Sequence, residues 1–215
     1  MDEFWTEIEA RVRGRAADYF RGRPAADPAP ALSTADAIWR DLAGRPDRGE
    51  PSGAADGLSL RVLIVGEAAR HEPLLGHDLR TRPFAALPDG RVEEIACRLA
   101  EAAGAADHVL EAGARAARER GFYSSSLMGF REVQERLAGL ASGAELARLG
   151  ACRLCRLLAR GEASRAGLEA SGLEARAAAL AAEVRSVAGS LLGPSWAAAR
   201  LPAAEGPSPD ERTSE

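Results

Sequence analysis

The sequence predicts a mainly α protein: a bundle-like helical body with one minor β element at residues 58–66. Three observations carry this expectation. Apolar residues recur at three- and four-residue steps through most of the chain, the period of a helix face. Helix start and stop signals bracket most of those stretches. Only Leu58 to Val65 departs from the pattern. It closes on the apolar run Val62-Leu-Ile-Val65 followed by Gly66, as a buried strand would.

Residues 2–20 form the first predicted helix. Asp2 is placed to cap it, and Phe4, Ile8, Val12 and Ala16 share a face that Trp5, Tyr19 and Phe20 widen. Pro24, Pro28 and Pro30 make the following stretch extended. A short helix begins at Ser33, turns Ile38, Trp39 and Leu42 one way, and stops at Gly44. Of the ten aromatic residues, five lie in the first 39 positions. Such large burial areas place residues 1–44 as a helical segment packed on the body. Residues 45–57, rich in Gly, Pro and Asp, read as a linker loop.

The main domain is expected over 58–192. After the strand, a loop from Ala68 to Gly90 contains Pro73, Pro83 and Pro88. Asp89 caps a helix carrying Val92, Ile95 and Leu99, with Gly104 as its stop. Asp107 caps another, with Val109, Leu110, Ala114 and Ala117 inward and Gly121 at the end. Ser124 to Ser126 opens a third, in which Leu127, Phe130, Val133, Leu137 and Leu140 share a face. Ser142-Gly143 reads as a break before a fourth, with Leu146, Leu149, Leu157 and Leu158. Ser171 and Glu174 form a capping-box pair for the last helix. There Leu173, Leu180, Val184, Val187 and Leu191 follow a 7-4-3-4 spacing that resembles a coiled-coil seam. Gly193-Pro194 ends it, and residues 193–215 are expected to be a disordered tail, polar and Pro-containing from Pro202 onward. A lone strand leaves its edges unsatisfied. Its partner would be sought at 84–87, at 108–112, or in another chain.

Composition bounds the function. The chain of 215 residues has a net charge of -4 and a pI near 5.6, with 46% hydrophobic residues. Nothing in that balance favours nucleic acid or an anionic membrane, and no run has the roughly 18 apolar residues of a membrane span. The acidic start, Met1-Asp-Glu-Phe-Trp, lacks the form of a signal peptide, so the expected compartment is the cytoplasm. The chain contains no Lys and no Asn, so all 28 basic residues are Arg, a bias that fits a GC-rich bacterial genome. The missing Lys excludes P-loop and Schiff-base chemistry from this chain acting alone. Cys97, Cys152 and Cys155 are too few for a disulfide framework and fit reduced thiols.

Four features could carry chemistry. Glu67, His71, His77 and Asp78 follow the predicted strand, with Glu72 beside them and His108 further on. Imidazole and carboxylate suit a divalent metal such as zinc or iron, though the spacing matches no metal motif. No other cofactor is indicated. Gly66 alone does not make a dinucleotide turn, which needs three glycines. Cys152-Arg-Leu-Cys155 puts two thiols one helical turn apart, for redox or metal chemistry or for plain packing among Leu154, Leu157 and Leu158. The run Glu145-Leu-Ala-Arg-Leu-Gly150 with Cys155-Arg-Leu-Leu-Ala-Arg160 resembles a helix-turn-helix, with an interval about two residues short and Arg153, Arg156 and Arg160 on one face.

The expected function is that of a cytoplasmic accessory or regulatory protein acting through helix-mediated contacts with another protein or with itself, a homodimer being one form. A small metal-dependent enzyme or metal-binding factor using the 67–78 loop is the alternative. A DNA-binding regulator is the third reading.

Overall fold

In the computed structural model, residues 54–81, 90–122 and 125–203 are described, and they are mainly helical. The elements are α1 (Ala54–His71), α2 (Pro73–Thr81), α3 (Gly90–Glu119), β1 (Gly121–Phe122), β2 (Ser125–Ser126), a 3-10 turn (Leu127–Gly129), α4 (Arg131–Ala159), α5 (Ala163–Leu191) and α6 (Pro194–Arg200). β1 and β2 form a two-residue antiparallel pairing, Gly121 opposite Ser126. The predicted N-terminal segment 1–44, the Asp89 cap and the 84–87 stretch lie outside the described residues.

The strand expected at 58–66 is not a strand. Those residues belong to α1, an 18-residue helix. Val62, Ile64, Val65, Ala68 and Ala69 are all buried, because α1 packs against α2, α3 and α4 together. A helix covered on several sides can carry a run such as Val62 to Val65, which periodicity cannot tell from a buried strand. The unsatisfied-edge problem disappears with the strand, since a helix pairs its own backbone groups. α1 also begins inside the stretch expected to be a linker, 45–57. The alternative strand at 108–112 is likewise helical.

Three long helices, α3, α4 and α5, make the body. Contacts between them fix their directions. Gly150 of α4 lies against Leu99 of α3 and Leu173 of α5, while Gly113 lies against Leu137 and Leu191. α4 therefore runs antiparallel to both neighbours. α1 runs parallel to α3: Arg61 reaches Glu93 near their starts and Arg70 reaches Glu111 further along. α3 is the central element. Ala102, Ala103, Gly104, Ala105 and Ala106 are consecutive and all buried, so small side chains let helices approach from several sides.

Two predicted breaks are close crossings instead. A Cβ on Gly104 would lie 2.1 Å from the Gly66 carbonyl oxygen. Gly104 is thus where α1 and α3 backbones touch, and α3 continues through it. A Cβ on Gly143 would lie 2.9 Å from a Leu180 methyl, so this glycine seats α5 while α4 continues. The capping box at Ser171 is also absent. Its hydroxyl donates to the Gly167 carbonyl at 3.1 Å, inside α5. The true end of α4 is a Schellman motif. Gly161 has φ +73°, its N–H bonds Leu158 O, and the Glu162 N–H bonds Leu157 O.

The coiled-coil-like seam is internal. Leu180, Val184, Val187 and Leu191 are all buried in the core shared with α3 and α4. Part of the expected tail is also packed. After Gly193, at φ +103°, α6 folds back. Leu201 is buried, and the Trp196 ring stacks on His108 with centroids 5.8 Å apart.

A second, polar layer locks α1 and α2 onto α3. Arg61 donates to Glu93 at 2.6 Å and to the Arg80 carbonyl at 3.0 Å. Arg80 donates to Glu101, which also meets His77 Nδ1 at 3.0 Å. Arg80 and Glu93 are buried. Buried ion pairs add little net stability over apolar packing, but breaking one strands a charge. They tie these helices to one register in a region rich in Ala and Gly.

Candidate functional site

A groove of about 970 Å³ runs along the outer side of α4. α1 contributes Glu67 and Arg70. α3 contributes Asp107, Leu110 and Glu111. α4 and its C-cap contribute a stripe that includes Glu145, Leu149, Cys152, Arg156 and Arg160. The groove lies between α1 and α4, with α3 contributing the residues between them.

An ion-pair hub sits midway along the wall. Asp107, expected from the sequence as an N-cap, is instead an interior residue of α3. It accepts from Arg148 at 2.6 Å and lies 4.0 Å from Arg70, which reaches Glu111 at 3.0 Å. Arg148 also donates to Glu145 at 2.6 Å. Burial works against the Arg148 charge, but Asp107 and then Glu145 outweigh it and raise the guanidinium above its ordinary value. For Arg70 the bond to Glu111 is the main raising influence, opposed by burial and helped by Glu67 and Asp107. These cations stay ionised at any physiological pH, so the hub is a fixed scaffold.

The charges are not evenly mixed along the groove. Glu111 and Glu145 lie at one end of the groove, level with the middle of α4. Arg153, Arg156 and Arg160 sit toward its end. Between them Leu149 is 58% exposed and Leu146, one turn away, is 44% exposed. Leu149 lines the wall and Leu146 lies a turn away from it; Leu168 on α5 is more exposed, at 79%, but does not line the groove.

The predicted metal residues are placed as follows. Glu67 lines the groove. His71 is exposed at the end of α1. The protein mass around its ring pushes its pKa below the ordinary range, Glu72 opposes this, and His108 adds to the lowering. His77 faces Glu101 and Asp78 is exposed on α2. Among the described residues, no three His, Cys, Asp or Glu side chains gather as metal ligands would. His108 uses Nδ1 to donate to the Arg70 carbonyl at 3.0 Å and supports Trp196 with its ring.

The two thiols of the CxxC part company. Cys155 is buried and Cys152 is half-buried on the groove wall; neither is in a disulfide. Cys97 is buried deep in α3, and burial pushes its thiol up to about 12, with Arg61 opposing. The helix-turn-helix pattern has no turn, because residues 145–159 lie in one unbroken helix. Arg153 of its proposed recognition face is held by Glu169, with Nη2 to Oε1 at 2.7 Å.

Sequence reasoning did not single out the groove. Its signal was present: Glu145, Leu149, Cys152, Arg156 and Arg160 step by 4-3-4-4, one stripe with an acid at one end and two bases at the other.

Comparison with family models, curated proteins and solved structures returns no match to this chain. No described helix is long and apolar enough to cross a membrane.

Proposed function

We propose that this chain is a cytoplasmic accessory or regulatory protein that acts by helix-mediated protein contact, with the α4 groove as its docking surface. The observation that carries this reading is the exposure of Leu149 and Leu146 beside a concave wall whose charges are already fixed in place. Interfaces of this kind use an apolar centre for affinity and a charged rim for register. The seam on α5, which the sequence offered for that role, is spent inside the core.

A photo-crosslinking residue at position 149, in cells of the native host, tests it. Adducts to protein are expected from position 149. None is expected from position 182, on the exposed side of α5. Equal labelling from both positions, or none from 149, would remove the docking role.

A further inference from the structure

The α4 stripe has a symmetry that the docking reading does not require. Its five residues are Glu145, Leu149, Cys152, Arg156 and Arg160. The midpoint of 145 and 160 coincides with the midpoint of 149 and 156, just beyond Cys152. A two-fold axis through that point, perpendicular to α4, lays a second α4 antiparallel on the first. Glu145 then faces Arg160 of the other copy at both ends. Leu149 faces Arg156, whose aliphatic stem can cover an exposed leucine while its guanidinium stays wet. The two Cys152 thiols fall beside the axis. The stripe spans fifteen residue steps, about 22 Å at the helical rise; the groove walls flank it with Glu111 near the acidic end, and Arg153, held by Glu169, lies beside the axis.

We infer that the occupant of the groove is a second copy of this chain, packed α4 against antiparallel α4 in an isologous dimer. This rests on the docking reading above and names its partner. A two-fold interface must be self-complementary, with each residue meeting its counterpart's partner. A stripe that runs acid, apolar, thiol, base, base meets that condition only in the antiparallel sense. A parallel pairing would set Glu145 on Glu145 and Arg160 on Arg160.

Charge exchange tests the geometry directly. One tagged copy carries Arg156→Glu and Arg160→Glu, and a second carries Glu111→Arg and Glu145→Arg. Each alone should elute as a monomer in size exclusion with light scattering, because like charges then meet at both ends. Mixed one to one, they should form a heterodimer, because each altered end now meets its opposite. Circular dichroism on each variant confirms that the fold is kept. Independently, a short bis-maleimide should link wild-type copies through Cys152, and Cys152→Ser should abolish the linked species, since Cys97 and Cys155 are buried. A monomeric wild type at the highest soluble concentration overturns the proposal. So do charge variants that stay dimeric on their own, or folded variants that fail to pair when mixed. The docking reading is separable: an adduct at position 149 with the mass of a different protein keeps the docking role and removes the dimer, whereas no adduct removes both.

Discussion

α5 and α4 carry leucine patterns that look alike in sequence and end in opposite environments. On α5, Leu180, Val184, Val187 and Leu191 lie in the core and are at most 6% exposed. On α4, Leu140 and Leu154 are fully buried, but Leu146 and Leu149 face outward. The difference comes from the neighbours. α5 lays its stripe between α3 and α4, which run its whole length. α4 has α3 and α5 on two sides, and α1 meets it less extensively on a third. On that side Leu157 is still buried, but Leu149 is left 58% exposed. Hydrophobic periodicity therefore identifies helices here, and how closely neighbouring helices pack decides which stripe becomes core.

Val184→Asp should break the inner half of this comparison most severely. It buries a carboxylate among Leu and Ala side chains, and about 3–5 kcal/mol of stability should be lost. Urea unfolding followed by circular dichroism reads the loss; an unchanged midpoint would mean the seam is wet.

Glycines sharpen the same contrast. Gly104→Ala forces a Cβ into the Gly66 carbonyl and the Arg70 backbone nitrogen, and about 1–3 kcal/mol should be lost as α1 and α3 move apart. Gly172, on the outer side of α5, has no atom near its missing Cβ. Gly172→Ala should raise stability by about 0.5–1 kcal/mol through better helix propensity. Opposite signs in thermal melts are expected, and equal signs would show that the α1–α3 crossing is looser than described.

The thiols give a pH-dependent version. Cys97 keeps its proton in the folded state up to about pH 12, whereas the unfolded thiol ionises from its ordinary value near 9.0. The folded state then binds more protons between these limits, so its contribution to stability is complete below 9 and falls as pH rises toward 12. The slope should reach about 1.4 kcal/mol per pH unit within that window, and Cys97→Ala should flatten it. A thiol reagent at neutral pH should label Cys152 on the outer wall well before Cys97. Rapid labelling of Cys97 would show that the inner face opens.

Leu149→Asp is the mildest change to the fold. An exposed position away from buried features should shift stability by no more than about 0.5 kcal/mol, while removing the apolar centre of the groove. A large fall in melting temperature would mean that Leu149 is covered and that the two stripes are alike after all.

The sequence by itself determined that the chain is mainly helical, that long Leu- and Ala-faced helices dominate 90–191, and that a stripe at Leu180 to Leu191 shares one face. Local period and stop signals carry that information within a window of a few turns. It could not tell α1 from a strand, because burial on several sides erases the period of Val62 to Val65. It read Gly104 and Gly143 as breaks, because a glycine that admits another helix and one that ends its own look the same until the second helix is in place. Asp107 and Ser171 looked like caps for a related reason: their side chains can satisfy a helix end, and only the packed bundle gives Asp107 two arginines to hold instead. The groove was least legible of all, because it is made by how α1 and α4 sit against each other, a relation between segments about 80 residues apart. Tertiary structure decided which apolar residues were left over once the core was full, since a helix can bury only the faces its neighbours pack against.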